Sequence, residues 1–185
     1  ETKKSFMDGL INIIDDIKFN NIAIHHLELL KGSEMDTKEQ RLKYGFKSKF
    51  RIFESCFGNY KIGNKKIPIS EIEEIAVATN TMTNDEYNDL RAMTLLIKIF
   101  IDGDTYKSIF EVLRRYEIKG IDILVKIQED TCKEFPKFSK LLEDFVNAGK
   151  NKFFDSKSEL ENILSNPKIA KKFFEGKFTQ NELLL

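Results

Sequence analysis

His25 and His26 are the only histidines of the chain, and imidazole is the side chain that most readily moves a proton or binds a metal near neutral pH. Adjacent residues on a strand point to opposite faces, so at most one of the pair can face a given pocket. The plainer reading is a satisfied core or interface histidine. Asp102 and Asp104 invite a metal reading, but Gly103 lies between them and the three sit between two helical patterns, where C-cap and N-cap roles account for all of them. Glu71, Glu73 and Glu74 could form an acidic site; with no His or Cys beside them they read as a solvated edge. Cys56 and Cys132 are far apart and belong to no CxxC, which argues against a local zinc or iron-sulfur site and for two reduced thiols. Lys61, Lys65 and Lys66 flank Gly63-Asn64 and could hold phosphate, although a hairpin tip with solvated lysines needs no ligand. No Ser/His/Asp, Cys/His, phosphate-loop or dinucleotide-binding glycine pattern is present.

The elements that would carry these residues follow from spacing. Ser5 can cap a helix with Phe6, Leu10, Ile13, Ile14 and Ile17 on one face, running to about Lys18. Asn21 to Leu30 is too apolar and too short for an exposed helix and is expected to be a buried strand, parallel to neighbours outside this chain. The loop Lys31 to Met35 precedes a short helix, Thr37 to Lys43, stopped at Gly45. Lys49 to Phe57 and Lys66 to Thr79 suggest a hairpin through Gly63-Asn64. Ser70-Glu71-Ile72-Glu73 also fits a helical capping box, but the β-branched residues from Ile72 to Thr81 favour a strand.

From Thr83 the pattern is helical. Thr83 and Glu86 form a capping box that opens a helix to Ile101, apolar nearly all round in its last turns and therefore buried by other helices or by a parent domain. Further helices are expected at about Thr105 to Tyr116, Ile121 to Thr131, Pro136 to Phe154 and Glu159 to Leu164, with another starting at Pro167 and stopping at Gly176.

A chain of 185 residues with 41% hydrophobic residues can bury a core of its own. Its thirty basic residues balance thirty acidic ones, so no overall field draws in a polyanion, and no nucleic-acid partner is expected. No apolar run approaches the ~20 residues that span a bilayer; Met93 to Ile101 is interrupted by Lys98. A cytoplasmic location is the expectation. The start at Glu1-Thr2-Lys3-Lys4 and the end at Leu183-Leu184-Leu185 are expected to be those of a piece of a longer protein.

Longer strings carry a resemblance. Glu1-Thr2-Lys3-Lys4-Ser5-Phe6 opening a helix, then Leu29-Leu30-Lys31-Gly32-Ser33-Glu34-Met35, Lys43-Tyr44-Gly45-Phe46-Lys47 and Glu73-Glu74-Ile75-Ala76-Val77-Ala78-Thr79-Asn80-Thr81-Met82, with Gly176-Lys177-Phe178 near the end, are similar to the C-terminal half of cobalamin-binding radical S-adenosylmethionine enzymes. That family has a Leu-Leu-Pro-Gly-Thr-Glu-like loop; Lys31 stands where it often has Pro, and Ser33 where it has Thr. The resemblance implies an α+β, mostly helical fold. Residues 1–43 would be the last part of a (β/α) barrel, 44–82 a linking hairpin region and 83–185 an all-helical C-terminal subdomain. It also implies a parent enzyme that uses a four-iron, four-sulfur cluster, S-adenosylmethionine and cobalamin for radical methyl transfer or rearrangement of a small-molecule substrate. Glu1 and Thr2 would lie near the methionine part of the cosubstrate, and Leu30, Lys31 and Gly32 beside its adenine, chiefly through backbone. The cluster's cysteine triplet and the cobalamin domain are missing here, so the chain has no metal ligands of its own. It would be inactive alone and would need the N-terminal part of its own protein. The alternative is a non-enzymatic helical interaction or regulatory module whose Thr83 to Ile101 helix docks a partner.

Overall fold

The computed structural model describes residues 1–17, 22–103, 105–166 and 168–170. The fold is α+β, with one two-stranded antiparallel sheet among the described residues and helices over most of the rest. The described residues form two compact units, neither continuous in sequence: those of 1–25 with those of 81–147, and those of 26–80 with 148–166 and 168–170.

The first unit is helical. Its opening helix, α1 (Lys3–Ile11), is capped by Thr2 rather than Ser5: the Thr2 hydroxyl accepts from the Ser5 N–H at 3.1 Å, and the Ser5 hydroxyl accepts from the Thr2 N–H at 2.9 Å. Two hydroxyls three residues apart thus satisfy each other's orphan donors, with Ser5 in the place usually held by Glu or Gln. The helix then widens into a π-helical turn, Asn12–Asp16; its expected end at Lys18 lies outside the described residues. Leu10 and Ile14, one turn apart, are both buried. Thr83 and Glu86 form the expected capping box of α3 (Asn84–Phe100). Met93, Leu95, Leu96 and Ile97 of α3 are buried against Leu10, Ile14, Phe110, Ile121, Leu124 and Leu142. Those partners come from α1, the π turn, α4 (Lys107–Arg115), α5 (Gly120–Glu134) and α6 (Pro136–Lys150). The apolar surface of α3 is therefore covered within its own unit.

The second unit is built on a hairpin, β1 (Lys47–Ile62) and β2 (Lys65–Ala78), turning at Gly63-Asn64 with Gly63 at φ 59°. β1 is longer than the sequence suggests, β2 has the expected length one residue earlier, and the alternative helix at Ser70 to Glu73 does not form. Between the pairs Ile52↔Ile72 and Phe57↔Ser70, residues 53–56 stand opposite Glu71 alone, a bulge that divides the ribbon into a proximal and a distal half. The proximal half is covered on both edges. Phe50 exchanges backbone hydrogen bonds with Phe154 (2.9 and 2.8 Å), and β2 bonds Leu27 and Leu29 through Ala76 N–H and Glu74 C=O (2.9 and 2.8 Å).

That second contact corrects one expectation. The described part of Asn21 to Leu30 is extended but is not a strand of a parallel sheet; its pairing is a single antiparallel bridge, Glu28↔Ile75. Exposure alternates along the run, with Ile22, Ile24, His26 and Glu28 half-buried and Leu29 alone buried, and its partner is an edge of the hairpin. The helix α2 (Lys38–Tyr44) is capped by Thr37 and stopped by Gly45 at φ 60°, ψ 40° as expected. The last helix described in full, α7 (Lys157–Leu164), is capped by Ser156. The expected helix from Pro167 to Gly176 and the string Gly176-Lys177-Phe178 lie largely or wholly outside the described residues.

Candidate functional site

The loop singled out by the sequence is a β-turn. The Ser33 N–H donates to the Leu30 carbonyl at 2.9 Å, and Gly32, third of the four residues, has φ 86°. A positive φ at that position with an i to i+3 hydrogen bond is the type II arrangement, which takes glycine third and favours proline second. Lys31 holds the second position. Leu30 and Lys31 are exposed, and a Cβ placed on Gly32 would meet no atom within 4 Å, so this backbone stands open to a ligand.

The turn is tied to the sheet by a chain of charged contacts. The Gly32 N–H donates to Asp36 Oδ2 at 3.1 Å. Arg41 Nη2 reaches Asp36 Oδ1 at 2.6 Å, and the Arg41 fork holds both carboxylate oxygens of Glu74 at 2.7 and 2.8 Å. The Ser48 hydroxyl also donates to Glu74. The Arg41 bond holds the Glu74 carboxyl below its ordinary range, and the Arg41 and Gly32 bonds do the same for Asp36. In turn the two carboxylates push the guanidinium up. Both acids are ionised at neutral pH, which suits them to fixing the turn rather than to proton transfer.

On the other face of β2, Glu73 is 5% exposed and pairs with Arg51, whose guanidinium lies 5.7 Å from the centre of the Phe153 ring. Burial pushes the Glu73 carboxyl up, against the pull of Arg51 and of His26. Glu71 is exposed, but Glu73 and Glu74 are not the solvated edge expected of them; each is held by an arginine that sequence spacing did not point to. His26 is half-buried on the Glu73 side, and His25 is exposed.

Glu1 and Thr2 belong to the first unit, and Leu30, Lys31 and Gly32 to the second. The Glu1 carbonyl accepts from the Thr81 hydroxyl at 2.7 Å, and the Thr2 side chain is occupied as the cap of α1. Asp102 pairs with Lys98 one turn back, while Asp104 lies outside the described residues. Cys56 is half-buried, and burial followed by Glu71 pushes its thiol up, so it is a poor thiolate ligand. Among the described residues no three His, Cys, Asp or Glu side chains gather as a metal site, and no helix is long and apolar enough to cross a membrane. No family model matches this chain, and no curated protein matches it.

Proposed function

We propose that this chain is the C-terminal part of a cobalamin-dependent radical S-adenosylmethionine enzyme, contributing one wall of the cosubstrate pocket and a helical tail. The observation that carries the reading is the turn Leu30-Lys31-Gly32-Ser33. A Leu-Pro-Gly-Thr segment is built for the same geometry, with proline second and glycine third, and Gly32 adopts the positive φ that geometry needs. The open backbone at Leu30 and Gly32 fits the edge of an adenine ring, and the Asp36–Arg41–Glu74 chain would hold it in place. When bound, the cluster and cosubstrate supply a radical that begins methyl transfer or rearrangement; the described residues hold no ligand set for the cluster or for cobalamin. On this reading residues 1–43 complete a (β/α) barrel supplied by the preceding part of the protein, in the cytoplasm.

The alternative, an interaction module docking through α3, is less well supported because that helix is buried within its own unit. The test is anaerobic iron and sulfide analysis with electron paramagnetic resonance on the complete gene product beside this chain. A reducible cluster signal in the complete protein is the expected result. Its absence after reconstitution would remove the enzyme reading.

A further inference from the structure

The distal half of the hairpin, beyond the bulge at residues 53–56, receives neither of the bridges that cover the proximal half. Cross-strand partners share a face, so the register places Tyr60, Ile62, Ile67 and Ile69 on one side of the ribbon. All four are exposed, and the most exposed, Ile62, stands beside the turn: Ile62 58%, Tyr60 54%, Ile69 44% and Ile67 39%. The Tyr60 ring packs over Gly58 on this same side. Residues 55–70 contain three lysines, Lys61, Lys65 and Lys66, and no Asp or Glu, although the chain as a whole is neutral. A two-stranded ribbon with an apolar face is marginal in water unless something covers that face.

We infer that this hairpin tip is a docking surface for an anionic lipid bilayer, with Ile62 and Tyr60 dipping into the interface and the basic tip segment meeting acidic headgroups. Three features favour lipid over a protein strand. The most exposed apolar residue of the four, Ile62, stands at the free end, as tip-first insertion requires. Pro68 removes a donor from β2 and blunts that edge against strand addition. By register Lys65 shares the side of Tyr60 and Ile67 while Lys61 and Lys66 take the other side, so the tip segment as a whole is basic without acidic relief, which complements an anionic surface met end-on. Tyrosine suits the headgroup boundary, with its ring in the apolar layer and its hydroxyl in water. The inference stands independently of the enzyme reading.

The chain contains no Trp, so Ile62→Trp would place a single reporter at the tip. Its emission is read with phosphatidylcholine vesicles and with vesicles containing about one-third phosphatidylglycerol, alongside co-sedimentation of the native chain. The expected result is a blue shift and sedimentation with the anionic vesicles only, weakened about tenfold by Lys61→Glu or by Ile67→Ser with Ile69→Ser, with circular dichroism unchanged. No binding to anionic vesicles would overturn the inference. So would binding that these variants leave intact, or self-association without vesicles that the same variants abolish.

Discussion

Glu73 and Glu74 are neighbours on β2 that point to opposite faces, one gripped by Arg51 and the other by Arg41, and their carboxyls are driven in opposite directions. Burial raises Glu73 from its ordinary value of 4.5, and the Arg41 hydrogen bond lowers Glu74 from the same value. A lowered carboxyl contributes stability that is complete above its unfolded value and lost as pH falls through its folded one; a raised carboxyl contributes below its unfolded value and loses that contribution as pH rises through the folded one. Glu74, joined by Asp36, therefore stabilises the fold at neutral pH, and Glu73 does not. Urea unfolding at pH 7 should show Glu74→Gln costing about 1–3 kcal/mol. Below pH 4.5 the penalty for Glu74→Gln should shrink.

The turn at Gly32 offers a second test. Lys31→Pro should stabilise the chain by about 0.4–1 kcal/mol, because proline favours the second position of this turn and restricts the unfolded chain. Gly32→Ala should destabilise by about 1–2 kcal/mol through its positive φ alone, since no atom lies within 4 Å of the added carbon. Thermal melts of the two variants should move in opposite directions.

Thr2 has a structural duty that a cosubstrate contact would have to share. Thr2→Ala should cost about 1 kcal/mol, and Thr2→Ser should restore nearly all of it, because either hydroxyl can accept from the Ser5 N–H. Loss of helical circular dichroism on heating measures this.

The start of α5 depends on a residue far away in sequence. Asp15 Oδ1 accepts from the Gly120 N–H at 2.6 Å, and Oδ2 from the Ile121 N–H at 3.3 Å. Asp15→Ala should cost about 1–2 kcal/mol. A Cβ on Gly120 would stand 3.0 Å from the Phe110 ring and 3.1 Å from Asp15 Oδ1. Gly120→Ala should cost stability as well, because the buried Phe110 ring must shift to admit it, and the denaturant midpoint of each variant checks this.

What could be read from the sequence was local. Thr37, Gly45, Thr83 and Glu86 mark helix ends by interactions within a few residues, and Gly63-Asn64 fixes the hairpin tip in the same way. The register was not legible. Pairing counted straight back from the turn would set Arg51 opposite Ala76, whereas the bulge at residues 53–56 sets it opposite Glu73. The Arg51–Glu73 pair was hidden for that reason, the Arg41–Glu74 pair because it joins α2 to β2 across 33 residues, and Glu73 and Glu74 looked like exposed acids. The segment before Leu30 was recognisably extended, yet nothing in an apolar run states which edge it will meet or in which direction. In the candidate site, Gly32 could be picked out from its neighbours, but its anchor Asp36 and the arginine behind it could not.

The discontinuity of the two units has a consequence for synthesis on the ribosome. The hairpin emerges complete at Ala78, but the edge of β1 at Phe50 is closed only by Phe154. Likewise α1 emerges first, while Leu10 and Ile14 wait for Leu96, Ile121 and Leu124 to cover them. An open strand edge and an uncovered apolar helix therefore coexist on the nascent chain while more than half of it is still being made, a period in which such surfaces recruit chaperones or aggregate. A product terminated near Thr83 would keep both surfaces open permanently, and would be cleared by proteases rather than persist as a folded half.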